Sequence, residues 1–300
     1  MKKVVGVGAS VLDTLIEMDS YPNEDIKIKA NNVFLSGGGP VSNALVCISK
    51  LGLKAEYLGL LSNDTSGERL IKEFNEYGVS TTNVVKVDNT SAFTSFIVLA
   101  KDKGTRTCVF DRGSVPDDPS LLDYSSVKEA DILHLDGNYL NIAKEAIRVA
   151  KENNVLVSLD AGSVYPHIEE ILDDVDIFIA SEDFARKLTK EEDNTKAIVR
   201  LNEMYHPLVL VVTEGAKGGL YIKDNKVYSY NAFKINCVDS NGAGDTFHGA
   251  YLIAFLEGKD IKECVRFASA TSAIKCMKAG VRNALPNKEE VISFLKERGN

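Results

Sequence analysis

The 300-residue chain lacks an excess of basic residues: 35 Lys and Arg stand against 43 Asp and Glu, a formal net charge of -8. A general nucleic-acid binder needs a basic face to displace counterions from phosphate, so no nucleic-acid partner is expected, and neither is a polybasic membrane anchor. No apolar run approaches the roughly 18 residues of a spanning helix. The N-terminus passes directly from Met1-Lys2-Lys3 into a strand-like Val4-Val5-Gly6-Val7, with no signal sequence to read. Cysteine is sparse: Cys47, Cys108, Cys237, Cys264 and Cys276 lie far apart, without Cys-x-x-Cys or His-adjacent spacing. That pattern predicts reduced, packed thiols in a cytoplasm rather than a disulfide framework or a zinc site. Also absent are a Pro/Gly/Ser-rich linker, a low-complexity tract and an internal repeat, which favours one main domain over residues 1–300 although the length admits two.

What is present is an alternation of short apolar runs with helical ones. Strands are predicted over 3–8, 55–60, 131–135, 155–160, 176–179 and 207–213, several of them almost wholly apolar, as parallel strands covered on both faces must be. Helices are predicted over 41–51, 67–77, 141–153, 181–188 and 194–204, and again over 242–258, 261–278 and 288–298. The fold class that follows is α/β, an open doubly wound sheet. Two stretches break the rhythm. Residues 14–35 contain no convincing helix, and 82–110 carry period-2 runs such as Phe93-Thr94-Ser95-Phe96-Ile97-Val98-Leu99. A small β-sheet inserted from about 14–35 and 82–113 accounts for both, serving as a cover for a site, a dimerisation surface, or both.

Glycine is ordinary in number, 22 residues, but clustered. In Val238-Asp239-Ser240-Asn241-Gly242-Ala243-Gly244-Asp245-Thr246-Phe247, a turn without bulky side chains leads into an apolar-periodic helix. An anion can approach the unpaired N–H groups of such a helix start, where the macrodipole adds about half a positive charge. A carboxylate beside a phosphate site is electrostatically awkward unless it accepts the proton of an attacking hydroxyl, so Asp245 is the candidate base, with helix capping as the plainer alternative. A second cluster, Thr213-Glu214-Gly215-Ala216-Lys217-Gly218-Gly219, follows an apolar strand at the end where α/β sheets bind ligands. The third, Gly37-Gly38-Gly39-Pro40, precedes a helix that carries Asn43, able to donate to and accept from a polyol, and Asp13 is a further acceptor past the first strand. Each reads alone as turn chemistry; four on one sheet edge argue for a site.

Together, Gly37-Gly38-Gly39-Pro40-Val41-Ser42-Asn43 and Asp239-Ser240-Asn241-Gly242-Ala243-Gly244-Asp245-Thr246-Phe247 resemble the two signatures of the ribokinase-like (PfkB) carbohydrate kinases. Residues 63–68 and the closing Gly280-Val281-Arg282-Asn283-Ala284-Leu285-Pro286 are similar to further family segments, so the resemblance spans the chain. It implies a three-layer α/β/α sandwich with a β lid, ATP and Mg²⁺ as cosubstrates, and phosphorylation of a sugar hydroxyl. By the same resemblance Asp245 is the catalytic base, and Gly242, Ala243 and Gly244 offer N–H groups to the moving phosphoryl. Thr213, Gly215 and Gly218 form the nucleotide loop, and Asp13, Gly38, Gly39 and Asn43 contact the sugar. One departure stands out: the family's Asn-x-x-Glu is here Ser181-Glu182-Asp183-Phe184, leaving Ser181 beside the nucleotide and Glu182 or Asp183 to act on the metal through water. The family's monovalent-cation site, for K⁺, would involve Asp239 and Asn241.

The expected reaction is in-line transfer of the γ-phosphoryl group to a primary hydroxyl of a small sugar or sugar acid, catalysed mainly by positioning and electrostatics. Lys27, Lys29, Arg106 and Arg112 lie in or beside the inserted sheet; Arg112 is a candidate substrate contact, and a cationic pair there would suit a phosphosugar. His134 and His248 have both structural and site-facing readings. A nucleoside kinase of the same fold, a phosphosugar kinase and a non-catalytic sugar sensor are the alternatives. A nicotinamide dehydrogenase is disfavoured, because Gly6-Val7-Gly8 is followed by Val11 where the dinucleotide fingerprint needs its third glycine.

Overall fold

Residues 2–102 and 105–299 are described by a computed structural model; positions 103 and 104 of the predicted insertion, and both terminal residues, lie outside the described residues. The chain opens with β1 (Lys3–Val7), leaves for β2 (Val11–Met18) and β3 (Asn32–Gly38), and returns through α1 (Pro40–Lys50) to β4 (Lys54–Tyr57). It continues through β5 (Leu60–Ser62), α2 (Thr65–Glu76), β6 (Val79–Ser80) and β7 (Val85–Val87), then leaves again for β8 (Thr94–Ala100) and β9 (Thr105–Asp111). After α3 (Ser125–Lys128) come β10 (Ile132–Leu135), α4 (Leu140–Glu152), β11 (Leu156–Ala161), β12 (Ile177–Ser181), α5 (Glu182–Thr189), α6 (Asn194–Tyr205) and β13 (Val209–Thr213). The antiparallel pair β14 (Gly219–Lys223) and β15 (Lys226–Tyr230) precedes α7 (Ala243–Leu256), α8 (Ile261–Cys276) and α9 (Lys288–Glu297).

Nine strands form the main sheet in the order β15-β14-β13-β12-β11-β10-β1-β4-β6. Its strands are parallel from β13 to β6, and β14 and β15 are antiparallel at one edge. Alternate residues feed two cores. Val4, Ile132, Ile177, Ile179 and Val209 pack with α1, α2, α7, α8 and α9, while Val5, Leu133, Phe178 and Leu210 pack with α4, α5 and α6 on the other face. That double burial is why these strands are nearly continuous apolar runs in the sequence, and it makes the molecule a three-layer α/β/α sandwich. Among the described residues no helix is long and apolar enough to cross a membrane.

The two excursions build a separate four-stranded sheet, β3-β2-β8-β9, in which β2 pairs antiparallel with β3 and parallel with β8. Its first part begins at Val11, earlier than the expected residue 14, because pairing of Val11 with Gly38 carries the ladder to the glycine run. Residues 85–87 differ from expectation: β7 pairs with β5, not with the small sheet. The predicted 55–60 strand also breaks, into β4 and β5. On one face of the small sheet, Asp13, Ser95, Ile97, Cys108 and Phe110 turn toward a cleft against the sandwich. Rows of the opposite parity run outward: Leu35, Thr14, Phe96 and Val109 in one, Val33, Ile16, Val98 and Thr107 in the next.

Candidate active site

Parallel pairing brings the carboxyl ends of β1, β10 and β11 side by side, with Val7 opposite Leu135 and Leu135 opposite Leu159. The next residues on β10 and β11 are therefore neighbours at the rim: Asp136 and Asp160. Asp136 fastens the loops there, accepting from the backbone N–H groups of Ala9 at 2.9 Å, Asn138 at 2.9 Å and Val41 at 3.4 Å. Only glycine fits at position 8, where a Cβ would lie 2.5 Å from the Asp136 carboxyl. Burial raises the pKa of Asp136 to about 6.

A cleft of about 560 Å³ lies between this rim and the small sheet. Asp13, Gly39, Asn43, Arg112, Asn241, Gly242, Ala243, Gly244 and Asp245, all expected at a site, line it together with Arg106. Asp13 enters from β2 and accepts from Ser95 Oγ at 2.6 Å. Burial lifts its pKa to about 6, against the pull of Ser95 and Arg282. Gly38 stands directly behind: a Cβ there would fall 2.0 Å from Asp13 Oδ2, so the glycine makes room for the carboxylate.

Gly242, in the left-handed region at φ 73°, turns the chain into α7, whose start carries no side-chain cap. Ala243 N donates to the Ser240 carbonyl at 3.2 Å, and the N–H of Gly244, which lines the cleft, has no helical partner. A Cβ on Gly244 would meet nothing within 4 Å, so the turn presents open backbone. Asp245, in that first turn, accepts from Asn43 Nδ2 at 2.7 Å, and Asn43 Oδ1 accepts from Arg282 Nε at 3.0 Å. The amide thus relays a fixed orientation from a buried guanidinium to the carboxylate. Arg282 itself is held by Glu73 at 3.1 Å and the Gly38 carbonyl at 3.3 Å. Burial, with the Asp160 carboxylate adding to it, pushes the pKa of Asp245 up to about 6, while Asn43 opposes the rise.

The histidines separate by environment. His248, one turn beyond Asp245 on α7, puts Nε2 3.2 Å from Asp160 Oδ1 at the cleft floor. Burial works against the Asp160 carboxylate, but His248, His134 and the Gly162 N–H together lower its pKa. His134 is fully buried, 3.1 Å from Ser158 Oγ, and burial takes its pKa down to about 3, so it is a neutral core residue.

Two arginines of the small sheet reach across the cleft. Arg106 donates to Asn241 Oδ1 at 2.7 Å and Arg112 to Asn138 Oδ1 at 2.8 Å, with the Arg112 guanidinium 5.7 Å from the Phe93 ring centre.

Ser181, Glu182, Thr213, Gly215 and Gly218 do not line this cleft; they sit farther along the same sheet edge, Ser181 paired with Thr213 across β12 and β13. Ser181 Oγ caps α5, accepting from Phe184 N at 3.0 Å and donating to the Gly162 carbonyl at 3.1 Å. Thr213 Oγ1 donates to the Ala180 carbonyl at 3.3 Å. At φ 105°, Gly218 passes so close to the next strand that a Cβ would lie 2.0 Å from the Tyr230 carbonyl oxygen. Glu182 is engaged by Arg186 at 3.0 Å and Asn194 at 3.2 Å. Phe184, at the position where the resemblance expects Glu, is wholly buried, edge-on to Phe178 at 5.9 Å. Asp136, Asn138, Asp160 and Ser95 line the cleft without having been singled out as site residues. A carboxylate at the end of a mostly apolar strand, as in Leu135-Asp136 and Leu159-Asp160, is the signal that marks two of them.

Comparison with known proteins agrees with this geometry. The model of the pfkB family carbohydrate kinases matches residues 1–288. Ribokinase of Haemophilus influenzae is 26% identical over 309 aligned positions covering 99% of each chain. The crystal structure of ribokinase from Thermotoga maritima superposes with a TM-score of 0.87 at 26% identity, covering 99% of this chain and 100% of that one. Arabidopsis thaliana ribokinase, solved in complex with ribose and ATP, gives 0.85 at 26% identity over 98% and 99%. Because that family model covers nearly the whole length of the chain, the protein belongs to the pfkB family of carbohydrate kinases, phosphotransferases that act on an alcohol group.

Proposed function

We propose that this kinase transfers the γ-phosphoryl group of ATP to a hydroxyl, a primary one, of a small sugar, with Asp245 as general base and the turn at Gly242, Ala243 and Gly244 as anion hole. The observation that carries it is the placing of Asp245: a half-buried carboxylate with a pKa near 6, oriented by Asn43, beside an uncapped helix start and in the same cleft as Asp13. A base with that pKa is ionised at neutral pH yet still accepts a proton readily. Asp13, Asn43 and Gly39 would hold the sugar. The acceptor hydroxyl gives its proton to Asp245 Oδ as its oxygen forms the bond to the γ-phosphorus. The bond from that phosphorus to the bridging oxygen breaks and its electrons leave with ADP. Charge on the phosphoryl oxygens is met by the N–H groups at the start of α7.

Thr213, Gly215, Gly218 and Ser181, farther along the edge, would receive the nucleotide. Mg²⁺ binds chiefly through phosphate oxygens and water with one or two carboxylates, which suits an edge where Glu182 is already tied to Arg186; bound there, it would neutralise phosphate charge. The small sheet would act as a lid on the cleft, excluding the water that would otherwise hydrolyse ATP. Arg106 and Arg112 latch it to Asn241 and Asn138. Both cations bond to amide oxygens rather than carboxylates, and that favours a phosphosugar as the second reading of the substrate. The outer rows of the small sheet, with Phe96 52% and Val109 64% exposed, support a homodimer formed through it. Cys108 and Cys237, exposed and free, fit a reducing compartment such as the cytoplasm.

Asp245→Asn is expected to leave sugar affinity within a few-fold and to lower turnover by ~10² or more. Steady-state assays of ADP release with ribose, fructose, phosphosugars and nucleosides test both base and substrate class. Undiminished turnover in the variant would remove Asp245 from its role, and a preference for nucleosides would overturn the sugar reading.

A further inference from the structure

Lys275, in the last turn of α8, has no part in the reaction above, yet its side chain is 0% exposed. An ammonium is expensive to bury unless it is paired. Its Nζ donates to the main-chain carbonyl of Asp239 at 2.8 Å and stands 4.0 Å from Asp239 Oδ1. That carboxylate is itself spoken for, accepting from Asn241 N at 2.8 Å and Gly280 N at 2.9 Å. The carbonyl of Cys276, next along α8, accepts from Val238 N at 2.8 Å and Asp239 N at 3.2 Å. Residues 238–241 are thus strapped to the C-terminal end of a helix, where free carbonyls and the macrodipole gather negative charge. They run straight into the Gly242 turn. A carboxylate, a carbonyl and a helix C-terminus around one point call for a single cation, and the chain brings its own.

We infer that Lys275 is a built-in cation for this active site, holding the anion-hole turn in place of the diffusible K⁺ that the family resemblance assigns to Asp239 and Asn241. The residues present do not fit a free K⁺: an ion at the Asp239 carbonyl would confront the Lys275 ammonium, and the Asn241 amide oxygen is already taken by Arg106 at 2.7 Å. Burial lowers the pKa of Lys275, and the Asp239 carboxylate opposes that loss. Lys275 is a positioning residue, acting through the 239–242 segment.

The activity side of this inference rests on the kinase reading; the ion-binding side does not. In wild-type protein, replacing tetramethylammonium chloride by KCl at equal ionic strength should change turnover by less than about twofold and leave the melting temperature unmoved by K⁺ relative to choline. Lys275→Met removes the ammonium but keeps the site's negative charge. The variant should lose about tenfold or more in turnover without K⁺, recover most of it with K⁺ or NH₄⁺ but not with tetramethylammonium, and melt higher in KCl than in choline chloride. A wild-type enzyme activated about tenfold by K⁺, a wild type stabilised selectively by K⁺, or a variant as active as wild type without K⁺ would each overturn the inference. Should the variant not fold, the wild-type comparison alone decides it. Should no sugar be phosphorylated, the ion-selective melting of wild type and variant decides it still, and the failure falls on the proposed function.

Discussion

At the scale of the residue, Asp245, the proposed base, would join catalysis to stability through one carboxyl group. Its pKa near 6 in the folded protein stands above the ordinary aspartate value of 3.8, chiefly because it is buried. As the ionised form is the base, turnover should fall below about pH 6, by roughly tenfold per pH unit. Stability runs the other way. A group whose folded pKa is raised contributes stability fully present below the unfolded pKa and lost as pH rises through the folded one. Asp245→Asn should therefore melt higher than wild type at pH 7, by on the order of 2 kcal/mol in stability, with the gap closing toward pH 4. Melting curves across that range check the sign; a variant less stable at pH 7 would contradict the buried-carboxylate account. The place of Asp245 was legible in sequence because a glycine turn, a helix start and an acid are all local. Arg282, which holds its partner Asn43, lies 37 residues farther along and is fully buried; it was legible only as part of a similar segment, since no local pattern shows that its guanidinium meets Asn43.

At the scale of the element, α5 shows how one position can change its task. Sequence comparison within 181–184 put Phe184 where the family has a Glu and shifted the metal's water shell to Glu182 or Asp183; the helix turns the Phe184 ring into the core between sheet and helices, edge-on to Phe178. Restoring the expected acid with Phe184→Glu should destabilise the protein by about 3 kcal/mol or more, by loss of packing and burial of an unpaired charge, and should not improve Mg²⁺ use. Denaturant melts and a Mg²⁺ titration of activity check this; a stable variant with tighter Mg²⁺ dependence would reverse it. The parallel strands were readable because double burial writes itself as unbroken apolar runs. Strand β7 was assigned to the wrong sheet because three residues carry too little pattern to name a partner, and pairing with β5 is a long-range choice.

At the scale of the whole molecule, the small sheet has one face on the cleft and one on solvent. Leu35, Phe96 and Val109 form a cross-strand apolar row on the outer face, with Thr14 among them, and Val33 is exposed beside it. An apolar sheet face of this kind is normally covered by a partner. The chain should sediment as a dimer, and Phe96→Asp with Val109→Asp should give a monomer whose sandwich still melts cooperatively, since neither side chain belongs to the two cores. A wild type that sediments as a monomer at micromolar concentration would rule the dimer out.

The sequence by itself determined the family, the doubly covered sheet, the glycine turn before α7 and the acid within it, because each depends on residues adjacent in the chain or on a period that burial imposes. Only the tertiary structure decided what stands opposite them. It joined Asn43 to Asp245 and Arg282, set Asp160 on His248, made His134 a core residue, and put the Lys275 ammonium on the Asp239 carbonyl. These are contacts between strand ends and helices far apart in sequence, and their register is fixed by packing on both faces of the sheet, which no local pattern contains.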